Sequence, residues 1–278
     1  MHIRAGFDLT YDCAGPTPML LQLSVHPSRV HDLRTPHHLA FSCPVALTEY
    51  QDGFDNTCHR VTLPPGRSTI STRFVIADTG EADLVAPWAQ QLPLEALPHD
   101  VLVFLLASRY CETDRLNDIA WPLFASVPAG WARVQAIVDF VHTHLTFGYG
   151  YARGDRTAWD AYRERVGVCR DFAHLAITLC RCMNIPARYC TGYLGDIGVP
   201  ALPDPMDFSA WFEVFLDGRW YTFDARHNEP RIGRILMARG RDAVDCAIST
   251  AFGANLLTGF FVVTDACDEA GNPVAAFA

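Results

Sequence analysis

A cysteine stands where an apolar periodicity begins, in the stretch Gly167-Val168-Cys169-Arg170-Asp171-Phe172-Ala173-His174. Residues 172, 175, 176, 179, 180 and 183 then fall on one broad helical face, and Asn184-Ile185-Pro186 stops the run because the residue before a proline is pushed out of the α region. The spacing predicts a buried central helix over Arg170–Met183 with Cys169 at its amino end. Free backbone N–H groups and the positive end of the helix dipole favour a thiolate there, so nucleophilic attack is the chemistry that this placement offers. Position alone suits an inert buried thiol equally well. A nucleophile also needs a base and a group that orients the base.

Candidate partners lie downstream. Phe208–Leu216 and Arg219–Asp224 read as strands joined by Asp217-Gly218, the strongest short hairpin signal. A two-residue loop pairs Leu216 with Arg219 and sets 211 opposite 224 and 209 opposite 226. One face then carries Phe208, Ala210, Phe212, Val214, Leu216, Tyr221 and Phe223 and is expected to meet the core; the other carries Ser209, Trp211, Glu213, Asp224 and Arg226. Ser209 and Asp224 become diagonal neighbours, roughly 7–8 Å apart by Cα.

These pieces need a scaffold, and the patterning of the chain indicates one. Residues 3–11 alternate with Ile3, Ala5, Phe7, Leu9 and Tyr11 on one face, Met19–Val25 is an apolar run, and Ser68–Ala77 alternates again. Asp52-Gly53-Phe54-Asp55-Asn56 reads as the turn between Val45–Tyr50 and Cys58–Leu63, and Pro64-Pro65-Gly66 as another. Residues 1–78 are expected to form an antiparallel β domain, a sandwich rather than a barrel. Gly80, Pro87, Pro93 and Pro98 make 79–100 a connection. The core is expected to span 101–265, with helices over Val101–Tyr110, Thr113–Phe124, Trp131–Leu145 and Thr157–Arg165, and a strand over Ala187–Tyr193. A last strand at Phe260–Thr264 is expected to close a sheet, with 266–278 a loose tail. The aromatic, glycine-rich stretch Thr146–Arg153 offers Tyr149 as a wall of a cleft beside the thiol, and Leu194–Asp207 reads as a proline- and glycine-rich loop.

Composition narrows the function classes. With 278 residues, 50% hydrophobic and 19% charged, the chain has the makings of a globular protein with a sizeable core. A net charge of −9 argues against nucleic acid or an anionic membrane as the main partner. No leader pattern opens the sequence and no stretch approaches 18 uninterrupted apolar residues, so a cytoplasmic protein is expected. The ten cysteines include no C-x-x-C pair and no zinc-ligand spacing near a histidine, and His142 and His144, two apart on a helix, cannot share a face. Neither a metal nor a cofactor is expected. The absence of a Gly-rich phosphate loop and of a Gly-x-Ser-x-Gly elbow disfavours nucleotide chemistry and serine hydrolysis.

Gly167-Val168-Cys169-Arg170-Asp171-Phe172-Ala173-His174, Asn184-Ile185-Pro186-Ala187-Arg188, Ala210-Trp211-Phe212-Glu213-Val214 and the Trp220–Asp224 strand together resemble the transglutaminase-like core of bacterial proteins labelled cysteine proteases. The 1–78 region is similar to the β region that accompanies that core. The resemblance implies an α+β fold: an antiparallel β domain followed by a papain-like core in which the Cys169 helix packs on an antiparallel sheet. It also implies that a thiolate attacks an amide, a histidine before the Ala-Trp pair acts as base and acid, and an aspartate on the next strand orients it. Cys169 and Asp224 match the nucleophile and the orienter, and Trp211 matches a cleft tryptophan. The histidine position holds Ser209. A serine hydroxyl has no useful basicity near neutral pH.

Four readings follow. Another histidine acts: His227, if the strand ends or bulges at Ala225, or His174, which helical geometry turns about 140° away from Cys169. Alternatively, Ser209 holds a water between Cys169 and Asp224. In the third reading amide chemistry is lost and the cleft binds a peptide or ligand. In the fourth the serine is an engineered change. The leading expectation is a thiol-dependent amide hydrolase or acyl transferase that acts on peptide or small amide substrates through a Cys169 acyl-enzyme; the alternative is a catalytically impaired binding module. Arg226, Arg231, Arg234, Arg239 and Arg241 form a basic cluster that either clamps an anionic group or pairs with Glu229, Asp242 and Asp245.

Overall fold

The structure, a computed structural model, describes residues 1–201 and 205–274. Six strands open the chain: β1 (His2–Cys13), β2 (Thr17–Leu21), β3 (Ala40–Phe41), β4 (Thr48–Gln51), β5 (Thr57–Leu63) and β6 (Gly66–Ala77). A helical region follows, with α1 (Thr113–Phe124), α2 (Trp131–His144), the two-residue strand β7 (Thr146–Phe147), α3 (Ala158–Glu164), β8 (Val166–Gly167) and α4 (Cys169–Cys182). The chain then runs through β9 (Ala187–Tyr193), β10 (Ser209–Leu216), β11 (Arg219–Phe223), β12 (Ile235–Gly240), β13 (Ser249–Ala251) and β14 (Asn255–Cys267).

The alternation at the start of the chain gives β1 one fully apolar face. Ile3, Phe7 and Leu9 are inaccessible to solvent and pack with Met19, Leu21, Val61, Leu63, Ile70 and Ile76 in one core between two four-stranded sheets. These sheets run β14-β1-β6-β3 and β13-β2-β5-β4. The β module is therefore not confined to 1–78: β14 pairs with β1 from His2↔Cys267 to Cys13↔Asn255, and β13 pairs with β2. Residues 249–267 thus belong to the β module, not to a core ending at 265. Of the expected loose tail, 275–278 lie outside the described residues, whereas Val274 N–H donates to Ala266 O and folds 268–274 back on β14. Residues 202–204 of the expected 194–207 loop also lie outside them.

The third sheet, β11-β10-β9-β12, is antiparallel throughout and carries α4 on one face. α4 is enclosed on every side, with each residue from Asp171 to Cys182 buried, because α1, α2 and α3 surround the faces that the sheet does not cover. Ala210, Phe212, Val214, Leu216, Tyr221 and Phe223 point into this core, as expected from the hairpin register, while Phe208 joins the core of the β module. The same sheet sends Tyr193, Ile235 and Met237 into the β-module core, which ties the two halves together. At the centre of that sheet Gly192 lets β12 approach: a Cβ there would lie 2.0 Å from Ile235 O. Val101–Tyr110 differs from expectation. Only a 3-10 turn forms, Leu102–Leu105, with Val101 and Phe104 anchored against Phe215 and Trp220. No helix among the described residues is long and apolar enough to cross a membrane.

Candidate active site

The amino end of α4 is held by backbone geometry and one buried acid. β8 pairs in parallel with β7, and Val168, extended at φ −109°, turns the chain into the helix. The Asp171 carboxylate accepts from Val168 N–H at 2.9 Å and from Arg156 Nη1 at 3.2 Å. Gly167 permits this, since a Cβ there would sit 2.6 Å from Asp171 Cβ. Asp171 thus braces the first helical turn, as its position suggests.

Cys169, half-buried, sits in a wall shared by two cavities. One is a narrow slot of about 40 Å³ lined by Tyr149, Asp207, Ser209, Arg226 and His227. The other, about 370 Å³, opens towards Arg153, Arg170 and Thr191. Burial and the neighbouring Asp207 push the thiol up to about 11, against Arg226 and a hydrogen bond from the Ala210 backbone, which pull it down. The thiolate expected from the helix terminus is therefore not the resting form. The dipole acts on a group whose desolvation and acidic neighbours outweigh it.

β11 ends at Phe223, and this decides the site. Pairing with β10 runs from Leu216↔Arg219 to Phe212↔Phe223, keeping the expected register, then stops. The expected pairs 211/224 and 209/226 do not form; β10 continues against β9 instead, with Ser209 opposite Gly192. Asp224 begins a turn in which Asn228 N–H donates to Asp224 O at 2.8 Å. Asp224 Oδ1 accepts from the backbone N–H groups of Arg226 (3.0 Å) and His227 (3.1 Å). Its Oδ2 accepts from Arg234 Nη2 (3.0 Å) and lies 2.9 Å from His227 Nδ1. Burial works against ionisation, but Arg234 and His227 outweigh it and hold the carboxyl well below the usual carboxylate range. The condition under which His227 can serve as a base, a strand ending before Ala225, is met, and its ring lines the slot with Cys169. His142 Nδ1 fastens the turn from below, 3.2 Å from Ala225 O and 3.0 Å from Arg226 O.

The other candidates are sorted by the same geometry. His174 is buried, stacks on Tyr110, and accepts from Ala243 N–H through Nε2 at 3.1 Å; burial keeps it neutral and it lines neither cavity beside the thiol. Tyr149 does line the slot. Trp211 does not: it is buried beneath Arg234, whose guanidinium carbon is 5.1 Å from the ring centroid, and faces a separate cavity with Glu213 and Arg239. The β10 pleat puts it on the sheet face opposite α4. Within the basic cluster, Arg241 pairs with Asp245, Arg234 with Asp83 and Asp224, Arg231 with Asp196 and Arg239 with Asp55. The acids are mostly remote in sequence rather than Glu229 and Asp242. Sequence reasoning missed Asp207, Arg234 as the second partner of Asp224, and Asp83, which carries Arg234 from the 79–100 connection. Only the neighbourhood of Asp207 to Ser209 could have pointed to the first. Among the described residues no group of three His, Cys, Asp or Glu side chains is placed to hold a metal.

A family profile described as "Transglutaminase-like superfamily" matches residues 119–225, the segment that runs from α1 through the Cys169 helix to Asp224. A crystal structure described as a "Putative Cysteine Protease from Cytophaga hutchinsonii" is similar over the whole of this chain and 93% of its own, with TM-score 0.83 and 28% identity. Residues 119–225 form a transglutaminase-like core. Sequence relatives include an uncharacterized protein of Mycobacterium leprae, 34% identical over 117 residues (41% of this chain, 42% of that protein). Another, from Mycobacterium tuberculosis, is 28% identical over 142 residues, 48% of this chain and 45% of its own. The matched region spans less than half the length of these relatives. Within the transglutaminase-like core the fold brings Cys169 and His227 to one slot, with Asp224 outside it and bound to the His227 ring, and leaves Ser209 at the position where the resemblance implies a histidine.

Proposed function

We propose that the protein is a thiol-dependent amide hydrolase or acyl transferase in which His227 does the work of the histidine missing at 209. The observation that carries this reading is the 2.9 Å contact of His227 Nδ1 with Asp224 Oδ2, made by a ring that lines the slot holding Cys169. With Nδ1–H donated to a buried carboxylate, Nε2 is left as the acceptor. A substrate amide entering the slot displaces water from the thiol. Nε2 takes the S–H proton as sulfur bonds to the carbonyl carbon, and Asp224 stabilises the imidazolium. The N–H groups of Cys169 and Arg170, which open α4 and have no acceptor within it, are suited to receive the oxyanion. The C–N bond breaks with the proton returned to the leaving amine. Water or a second amine then releases the acyl group. The ten free cysteines suit a reducing, cytoplasmic setting, and the substrate is read as a peptide or small amide.

The thiol pushed up to about 11 favours the second reading, a binding module that keeps the cleft without turnover. Acylation by p-nitrophenyl acetate separates the two. A stoichiometric acetyl adduct is expected on Cys169 by mass spectrometry, absent in Cys169→Ala and formed about 10²–10⁴-fold more slowly in His227→Ala. No adduct, or an unchanged rate in His227→Ala, overturns the proposal.

A further inference from the structure

Arg226 differs from the rest of the basic cluster. The other four arginines each have a carboxylate within 4.0 Å, whereas among the described residues none lies within that distance of Arg226, and no backbone carbonyl accepts from its guanidinium. Yet it is only half exposed, and it lines the slot beside Cys169 and His227. Its position is fixed. The backbone N–H is bound by Asp224, the carbonyl faces His142, and the guanidinium lies on Phe147 with its central carbon 3.8 Å from the ring centroid. Stacking spends one face of the group and leaves its N–H edges, the part that recognises a carboxylate in a bidentate fork. Tyr149, whose hydroxyl is close enough to interact with Arg226, adds a second donor at the same wall. Asp207 on the same slot feels this charge but makes no ion pair with it within 4.0 Å among the described residues, so an arriving carboxylate that reaches the N–H edges directly gains the contact that Asp207 does not make.

We infer that Arg226 is a specificity-determining residue that receives a carboxylate next to the scissile bond, so that the substrates are amides carrying a negative charge adjacent to the carbonyl attacked by Cys169. This rests on the nucleophile reading above. The carboxylate has two possible sources, an acidic side chain or a chain-terminal α-carboxylate, with the same chemistry at Arg226.

Alkylation of Cys169 by iodoacetate and by iodoacetamide, followed by mass spectrometry, tests this without a known substrate. The reagents differ in the carboxylate, and their rate ratio cancels the reactivity of the thiol itself. In the wild type, iodoacetate is expected to show saturation and iodoacetamide none. Arg226→Gln should lower the ratio by at least about tenfold, the weight of one charge-assisted hydrogen bond, and Arg226→Lys should restore part of it. An unchanged ratio, or a ratio that falls while wild-type iodoacetate kinetics stay unsaturable, overturns the inference. Modification of Cys169 by neither reagent overturns the nucleophile reading as well. Protection assays on the wild type keep the test independent of how the variants fold. N-acetylisoglutamine slowing alkylation assigns a side-chain carboxylate, N-acetylglutamine an α-carboxylate, and protection no better than that of the neutral diamide refutes both.

Discussion

Asp224 has four hydrogen-bond donors on its two oxygens: two backbone N–H groups, Arg234 Nη2 and His227 Nδ1. A carboxylate with that many partners has little capacity for a fifth. The consequence is specific to position 209. Ser209→His reintroduces the residue that the family resemblance implies, but the carboxylate that should orient it is already engaged. The acylation rate with p-nitrophenyl acetate is expected to rise by no more than about twofold, since an unoriented imidazole is a poor base. A large gain would mean that His227 yields Asp224 readily and that the site as it stands lacks a base. Some of this was legible in the sequence. Local signals, a helix start and a hairpin, place Cys169 and Asp224 on their elements, only the family resemblance implies their roles, and the sequence states the condition for His227. The roles of Arg234, Asp83 and Asp207 depend on contacts between segments far apart in the chain, which no local period encodes.

At the scale of elements, local patterning predicts what forms and long-range pairing decides where it belongs. α1 and β9 coincide with their expected bounds, and the hairpin keeps its register up to Phe223. The β14 strand was visible as a strand but not as the neighbour of β1, because antiparallel pairing across the length of the chain leaves no mark in either segment. Trp211 was misplaced for a related reason: which face of β10 meets α4 is legible, but which elements cover the other face is not. The pairing has a testable consequence. A fragment comprising residues 1–78 lacks both β13 and β14 and exposes an edge of β1 along its whole length. It is expected to show no cooperative thermal transition by circular dichroism, and a sharp transition would restore 1–78 as an independent domain.

For the whole molecule, several histidines are buried without charge. Burial holds His26 and His37 at about 4, lowers His59, and keeps His174 well below its ordinary 6.5. Between pH 6.5 and about 4 the unfolded chain therefore binds more protons than the folded one, so stability falls as pH falls through that window. The contribution of His26 and His37 is fully present above 6.5 and lost by about 4. For His174, protonation also removes the lone pair that accepts from Ala243. The melting temperature is expected to drop between pH 7.5 and pH 4.5 by on the order of 10 °C, as followed by calorimetry. A flat profile would contradict this reading of the buried imidazoles.

Phe208, adjoining both Asp207 and Ser209, packs edge-on against Phe7 of β1 at 5.8 Å and Phe260 of β14 at 5.9 Å. One wall of the thiol cleft is thus secured by residues that a ribosome delivers some 250 positions apart. A nascent chain can complete α4, β10 and the Asp224 turn while β1 still waits for its second neighbour. Cys169, Asp224 and His227 are translated before β14, whose Phe260 packs on Phe208. The Phe208 wall has its full packing only once β14 is paired with β1.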